Sequence, residues 1–109
     1  RMQWFGSVGE RPRQGELVLG FHRDAGVYEL SWIDTFHTGT AIMPFTGPAR
    51  ADGVVSVLGS YAAGDERWGF RLELGKRDAG IALRATNITP AGEEHRAIEV
   101  DFEPMYPAG

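Results

Sequence analysis

Residues 16–34, ELVLGFHRDAGVYELSWID, decide how the rest of the chain is read. Leu17, Leu19 and Phe21 alternate with Glu16, Gly20 and His22, and after Asp24-Ala25-Gly26 the alternation resumes with Tyr28, Leu30 and Trp32 against Glu29 and Ser31. Successive side chains of an extended backbone point to opposite sides, so a period of two marks a strand with one buried face. Between the two runs, Asp can bond its own backbone and Gly can take the positive φ that a tight reversal needs. The stretch therefore reads as a β-hairpin with one apolar face. A lone hairpin is marginal in water, so other strands must cover that face.

Outward from the hairpin the same period recurs and helical spacing does not. Residues 2–5 read as a short first strand, and residues 9–15, with Pro12, as a polar loop. A strand is expected over residues 36–45, followed by a turn region over residues 47–53, GPARADG. Residues 54–61 form the next strand, with Val55 and Val57 on one side and Val54 and Leu58 on the other. After a turn at residues 63–66, Trp68, Phe70, Leu72 and Leu74 alternate with Gly69, Arg71 and Glu73 as a half-buried strand. Residues 76–80 turn the chain again, Asp78-Ala79-Gly80 repeating the chemistry of Asp24-Ala25-Gly26. Residues 81–88 are a strand ended by Thr89-Pro90-Ala91-Gly92, and residues 90–98 lack an apolar stripe and read as turn plus strand start. Ile98, Val100 and Phe102 then alternate with Glu99, Asp101 and Glu103 up to Pro104. Strands at intervals of roughly 10–15 residues imply an all-β antiparallel meander. Its edges are protected either by curling into a full or partial barrel or by pairing with a second copy, and a homodimer is expected.

Length and composition narrow the function classes. The 109 residues fit one domain, residues 1–109. Arg1 ahead of Met2 reads as a start inside a longer product or after a tag remnant. With no cysteine, disulfides, thiolate metal sites and cysteine nucleophiles are excluded, and a cytosolic setting is favoured. The net charge of −4 and the scatter of eleven basic residues, Arg11 and Arg13 being the nearest to a patch, argue against a nucleic-acid partner. No apolar run approaches the roughly 20 residues of a membrane helix, and no signal-peptide core opens the chain.

The hairpin also carries a resemblance. Leu17-Val18-Leu19-Gly20-Phe21, a turn, and Val27-Tyr28-Glu29-Leu30-Ser31-Trp32-Ile33-Asp34 resemble a bacterial family catalogued as a domain of unknown function, whose signature runs leucine-Gly-aromatic, turn, strand, Trp-x-Asp. Members of that family are similar to lipocalin-like (calycin) barrels, and the resemblance implies an antiparallel β-barrel able to enclose a cavity. It also implies further strands before the hairpin, with a Gly-x-Trp element where this chain has Trp4-Phe5-Gly6. Against that family the chain reads as short at its N-terminus, with open edges that favour a homodimer. Asp34 keeps the family's acidic position, and no catalytic role comes with it.

The candidate site residues are aromatic. Tyr28, Trp32, Trp68 and Phe70 share the apolar faces, and aromatic bodies with a polar tip suit a flat or acyl ligand. Side chains also fill barrels of about eight strands completely, so the same four read as core more readily than as ligand lining. His22, His37 and His95 are 15 and 58 residues apart, which matches no metal or haem pattern, and no cofactor is expected. Asp34 and Glu29 lie near the aromatics, but a working carboxylate pair needs two separated pKa values in a cleft, and Asp34 serves equally as a strand cap. No nucleophile elbow, phosphate loop or dinucleotide fingerprint is present. Asn87-Ile88-Thr89 fits the short glycosylation pattern, which chance often produces. The leading expectation is a non-enzymatic module holding an apolar or amphipathic small molecule between Tyr28, Trp32, Trp68 and Phe70, with Asp34 or His37 fixing one polar group. The alternatives are a self-associating interaction domain with a filled core and, more weakly, an enzyme using Asp34 and His37.

Overall fold

A computed structural model describes residues 2–8, 11–34, 42–78 and 80–102, without the side chains of residues 2–8, 11–14 and 34. The described chain is all-β: β1 (Met2–Val8), β2 (Arg11–His22), β3 (Val27–Asp34), β4 (Met43–Pro48), β5 (Val55–Ala63), β6 (Glu66–Arg77), β7 (Gly80–Ile88) and β8 (Glu94–Phe102). They form one sheet in chain order, each strand antiparallel to the next, and among the described residues β1 and β8 are not paired to each other. The sheet curls into a half-barrel.

Register stacks the alternating apolar residues into rows across the inner face. Leu17 lies opposite Trp32 and Trp32 opposite Met43, while Leu30 lies opposite Phe45. Val57 lies opposite Leu72 and Leu72 opposite Ala85. Leu17, Trp32, Leu72, Leu83 and Ala85 have no exposed surface, and Phe45, Val57, Phe70 and Leu74 are nearly as deep. The outer face of β6, β7 and β8 is ionic instead: Arg71 meets Glu94 and Glu73, Glu99 meets both Arg84 and Arg96, and Arg77 meets Asp101. Pairs this exposed contribute about 0–1 kcal/mol each. Their effect is to keep that face wet.

The curl is concentrated between β4 and β5, which meet at the single registered pair Thr46 and Leu58. A Cβ on Gly47 would lie 2.0 Å from the Ser56 carbonyl oxygen, and one on Gly59 would lie 2.7 Å from that of Pro44. Each strand thus crosses the inner side of the other, where only glycine leaves room for a second backbone.

Several boundaries differ from those expected. Arg11 to Gly15 is not a loop but the first part of β2, paired with β1, with Pro12 opposite Ser7. Gly47 and Pro48 belong to β4, opposite Tyr28 and Val27, and not to the turn. Of the strand expected over residues 36–45, residues 36–41 lie outside the described residues, Ile42 is described outside a strand, and β4 begins at Met43. Lys76 and Arg77 extend β6, opposite Ile81 and Gly80, and Asp78 follows at φ 53°. The Asp24-Ala25-Gly26 reversal is as expected: Gly26 sits at φ 68° and donates its N–H to the His22 carbonyl at 2.9 Å.

Candidate ligand site

An antiparallel meander returns its connections to alternate ends. The β3–β4 connection, the β5–β6 turn and the β7–β8 turn therefore share one end of the half-barrel. The inner face toward that end carries Trp32 on β3, Met43 on β4, Tyr61 on β5, Trp68 on β6 and Asn87 on β7. Trp32 is fully buried and Met43 nearly so, which makes them floor. Tyr61, Trp68 and Asn87 are half-buried.

These groups form a continuous wall. The rings of Phe45 and Phe70 lie 6.0 Å apart, Phe70 meets Tyr61 edge-on at 6.2 Å, and Tyr61 meets Trp68 at 6.5 Å. The Tyr61 hydroxyl donates to Asn87 Oδ1 at 2.9 Å, spanning β6 from β5 to β7. Burial pushes the Tyr61 phenol pKa above its ordinary value, because the phenolate would lose hydration. Tyr61 therefore stays a neutral donor throughout the physiological range.

The six residues expected at a site are distributed unevenly. Trp32, Trp68 and Phe70 belong to this end, with Phe70 exposed by only 1% and packed between Phe45 and Tyr61. Tyr28 does not: it lies four residues before Trp32 on β3, about 13 Å along an extended strand, and packs on Phe21 at 5.0 Å. Asp34 closes β3 opposite Gly15 at the Trp32 end, but its side chain, like all of His37, lies outside the described residues. His22 and His95 are exposed and each faces a carboxylate, Glu29 at 3.2 Å and Glu93 at 3.7 Å. Among the described residues no three metal-ligating side chains gather.

Sequence reasoning missed Tyr61 and Asn87. Tyr61 ends a strand whose apolar signal comes from its valines, and Asn87 drew notice only within Asn87-Ile88-Thr89. Its amide is engaged on the inner face, which is not where a glycan acceptor belongs. The register β5–β6–β7 is the signal that unites the two, through Tyr61 opposite Trp68 and Phe70 opposite Asn87.

Two depressions lined by described residues lie on the outer face. One, of about 540 Å³, runs over Val18, Gly20, Ser31, Pro44, Thr46 and Leu58; the other, of about 390 Å³, is bordered by Glu73, Lys76, Arg77 and Arg84. Neither contains an expected site residue. Among the described residues no helix is long and apolar enough to cross a membrane.

A curled, all-β antiparallel sheet with an aromatic inner wall is the class of protein that these strands define. Within that class, the chain belongs to the family described as protein of unknown function (DUF1579), whose family model matches residues 2–103. The resemblance first visible in the Glu16 hairpin thus extends through β8. No curated protein and no solved structure matches the chain.

Proposed function

We propose that the chain is a small lipocalin-like binding module that receives an apolar or amphipathic molecule against the inner wall at the end shared by the β3–β4, β5–β6 and β7–β8 connections. Trp32 and Phe70 form the floor, and Trp68 with Tyr61 offers exposed ring surface to the ligand. Tyr28 contributes at the far end of the same face. Asp34 and His37 stand as polar partners of the ligand by their place in the sequence. The supporting observation is the half-buried Tyr61–Asn87 hydrogen bond inside an aromatic wall. An interior that served only as core would hold apolar groups there and avoid desolvating an amide.

Native mass spectrometry of protein purified gently from its host, with a denatured control, tests this reading. An excess mass that disappears on denaturation supports it. Absence of any adduct, together with a melting temperature unmoved by millimolar medium-chain ketones and acids, overturns it.

A second reading is a homodimeric interaction domain, and it rests on a different observation. Trp32, Phe70 and Leu72 fill the middle of the inner face, while β1 and β8 each have one edge with no described strand partner. The same spectrum gives the subunit number, and a dimer without adduct selects this reading.

A further inference from the structure

Asn87 carries more hydrogen-bonding capacity than the fold uses. Its Oδ1 accepts from Tyr61, which aligns the amide and leaves the two N–H groups of Nδ2 with no partner among the described residues. The position is half-buried, so those donors are only partly repaid by water. Trp68 lies beside Tyr61 on the same wall, and Asn87 pairs in register with Phe70 on one side and His95 on the other. Charge narrows the choice of partner. With Glu94 paired to Arg71 and Arg96 to Glu99, Asp65 at the β5–β6 turn, Glu66 at the start of β6 and Glu93 at the β7–β8 turn outnumber Arg67 at this end, a balance that disfavours a carboxylate and tolerates a neutral acceptor.

We propose that Asn87 is the polar anchor of the inner-wall site, donating from Nδ2 to the neutral carbonyl oxygen of a ligand whose apolar part lies on Trp68. This rests on the inner wall being a ligand site. It adds the class of ligand: a ketone, ester or amide with an apolar chain or ring, in preference to a fatty acid.

Titration with 2-octanone, octanoate and octyltrimethylammonium, the last having no acceptor, separates the two claims. The wild-type chain is expected to bind 2-octanone more tightly than octanoate, with a chemical-shift change at the Asn87 side-chain amide. Asn87→Asp keeps the acceptor for Tyr61 and removes both donors. It should weaken 2-octanone about tenfold and leave octyltrimethylammonium no weaker. Equal binding of 2-octanone by wild type and Asn87→Asp, or an amide signal unmoved by saturating 2-octanone, overturns the anchor while the inner-wall site stands. Binding of none of the three probes by the wild type overturns both. Tighter octanoate than 2-octanone overturns the ligand class.

Discussion

The β4–β5 corner and the β6–β7 ladder are both antiparallel strand pairs of one sheet and hold it in opposite ways. In the ladder, register runs unbroken from Gly69 opposite Ile88 to Arg77 opposite Gly80, and side chains facing one another fix it. At the corner one pair is registered, and the backbones themselves are in contact over Gly47 and Gly59. The ladder is specified by pattern, the corner by the absence of two Cβ atoms. The inner face exists because of the corner: bending there turns β2–β4 toward β5–β8, so that Phe45 on β4 meets Phe70 on β6.

The largest effect is expected at the corner. In Gly47→Ala the new Cβ would meet the Ser56 carbonyl at 2.0 Å, and backbone has no rotamer by which to withdraw. We expect a loss above about 4 kcal/mol, the size reserved for backbone clashes and uncompensated core damage, read as the absence of a cooperative melting transition. A soluble Gly47→Ala protein melting within a few degrees of wild type would show that the corner bends by some other means.

Next in size is the contact that the corner makes possible. Phe70→Ala removes a fully buried ring between Phe45 and Tyr61 and should cost about 3–5 kcal/mol in urea unfolding. Tyr61 would also lose its edge-on partner. A cost below about 1.5 kcal/mol would mean that the two halves of the sheet are not coupled through this ring.

How much of this is legible in the sequence follows the same division. Inner and outer faces of β3, β6 and β8 can be read directly, because Tyr28-Leu30-Trp32, Phe70-Leu72-Leu74 and Ile98-Val100-Phe102 alternate with polar residues without a break. The corner cannot, because a glycine lying under a second backbone looks the same as a turn glycine, and Gly47-Pro48 accordingly reads as a turn. The site is legible in part. Trp32, Trp68 and Phe70 announce themselves as apolar aromatics, but grouping them with Tyr28 ignores that β3 carries Tyr28 and Trp32 to opposite ends. Tyr61 and Asn87 are 26 residues apart, and only three-strand register brings them within a hydrogen bond.

The outer face of the ladder offers a smaller and reversible perturbation. The Arg71 guanidinium, by hydrogen bond and then by charge, holds the Glu94 carboxyl below the usual glutamate range. A carboxyl whose pKa is lowered on folding stabilises the fold above its unfolded pKa of about 4.3, and that contribution is lost as pH falls through the lowered value. Melting temperatures of wild type and Glu94→Gln should therefore differ slightly at pH 7, and the gap should narrow as the pH falls below about 4 and with added salt. A gap that does not change with pH or salt would assign the effect of Glu94 to packing.

The smallest effect has the opposite sign and completes the comparison. Gly20 lies within β2, opposite Glu29, and a Cβ there would find nothing within 4 Å. Its φ lies outside the left-handed region, so alanine adopts the same backbone without strain. Gly20→Ala should stabilise the fold by about 0.4–1 kcal/mol, because the unfolded chain loses freedom while the native one loses none. Gly20 and Gly47 are both strand glycines with ordinary φ, so the two alanine variants differ only in what lies beyond the missing Cβ. A destabilised Gly20→Ala would place a backbone against β2 as well, and strand glycines in this sheet would then mark close approach as a rule rather than at one corner.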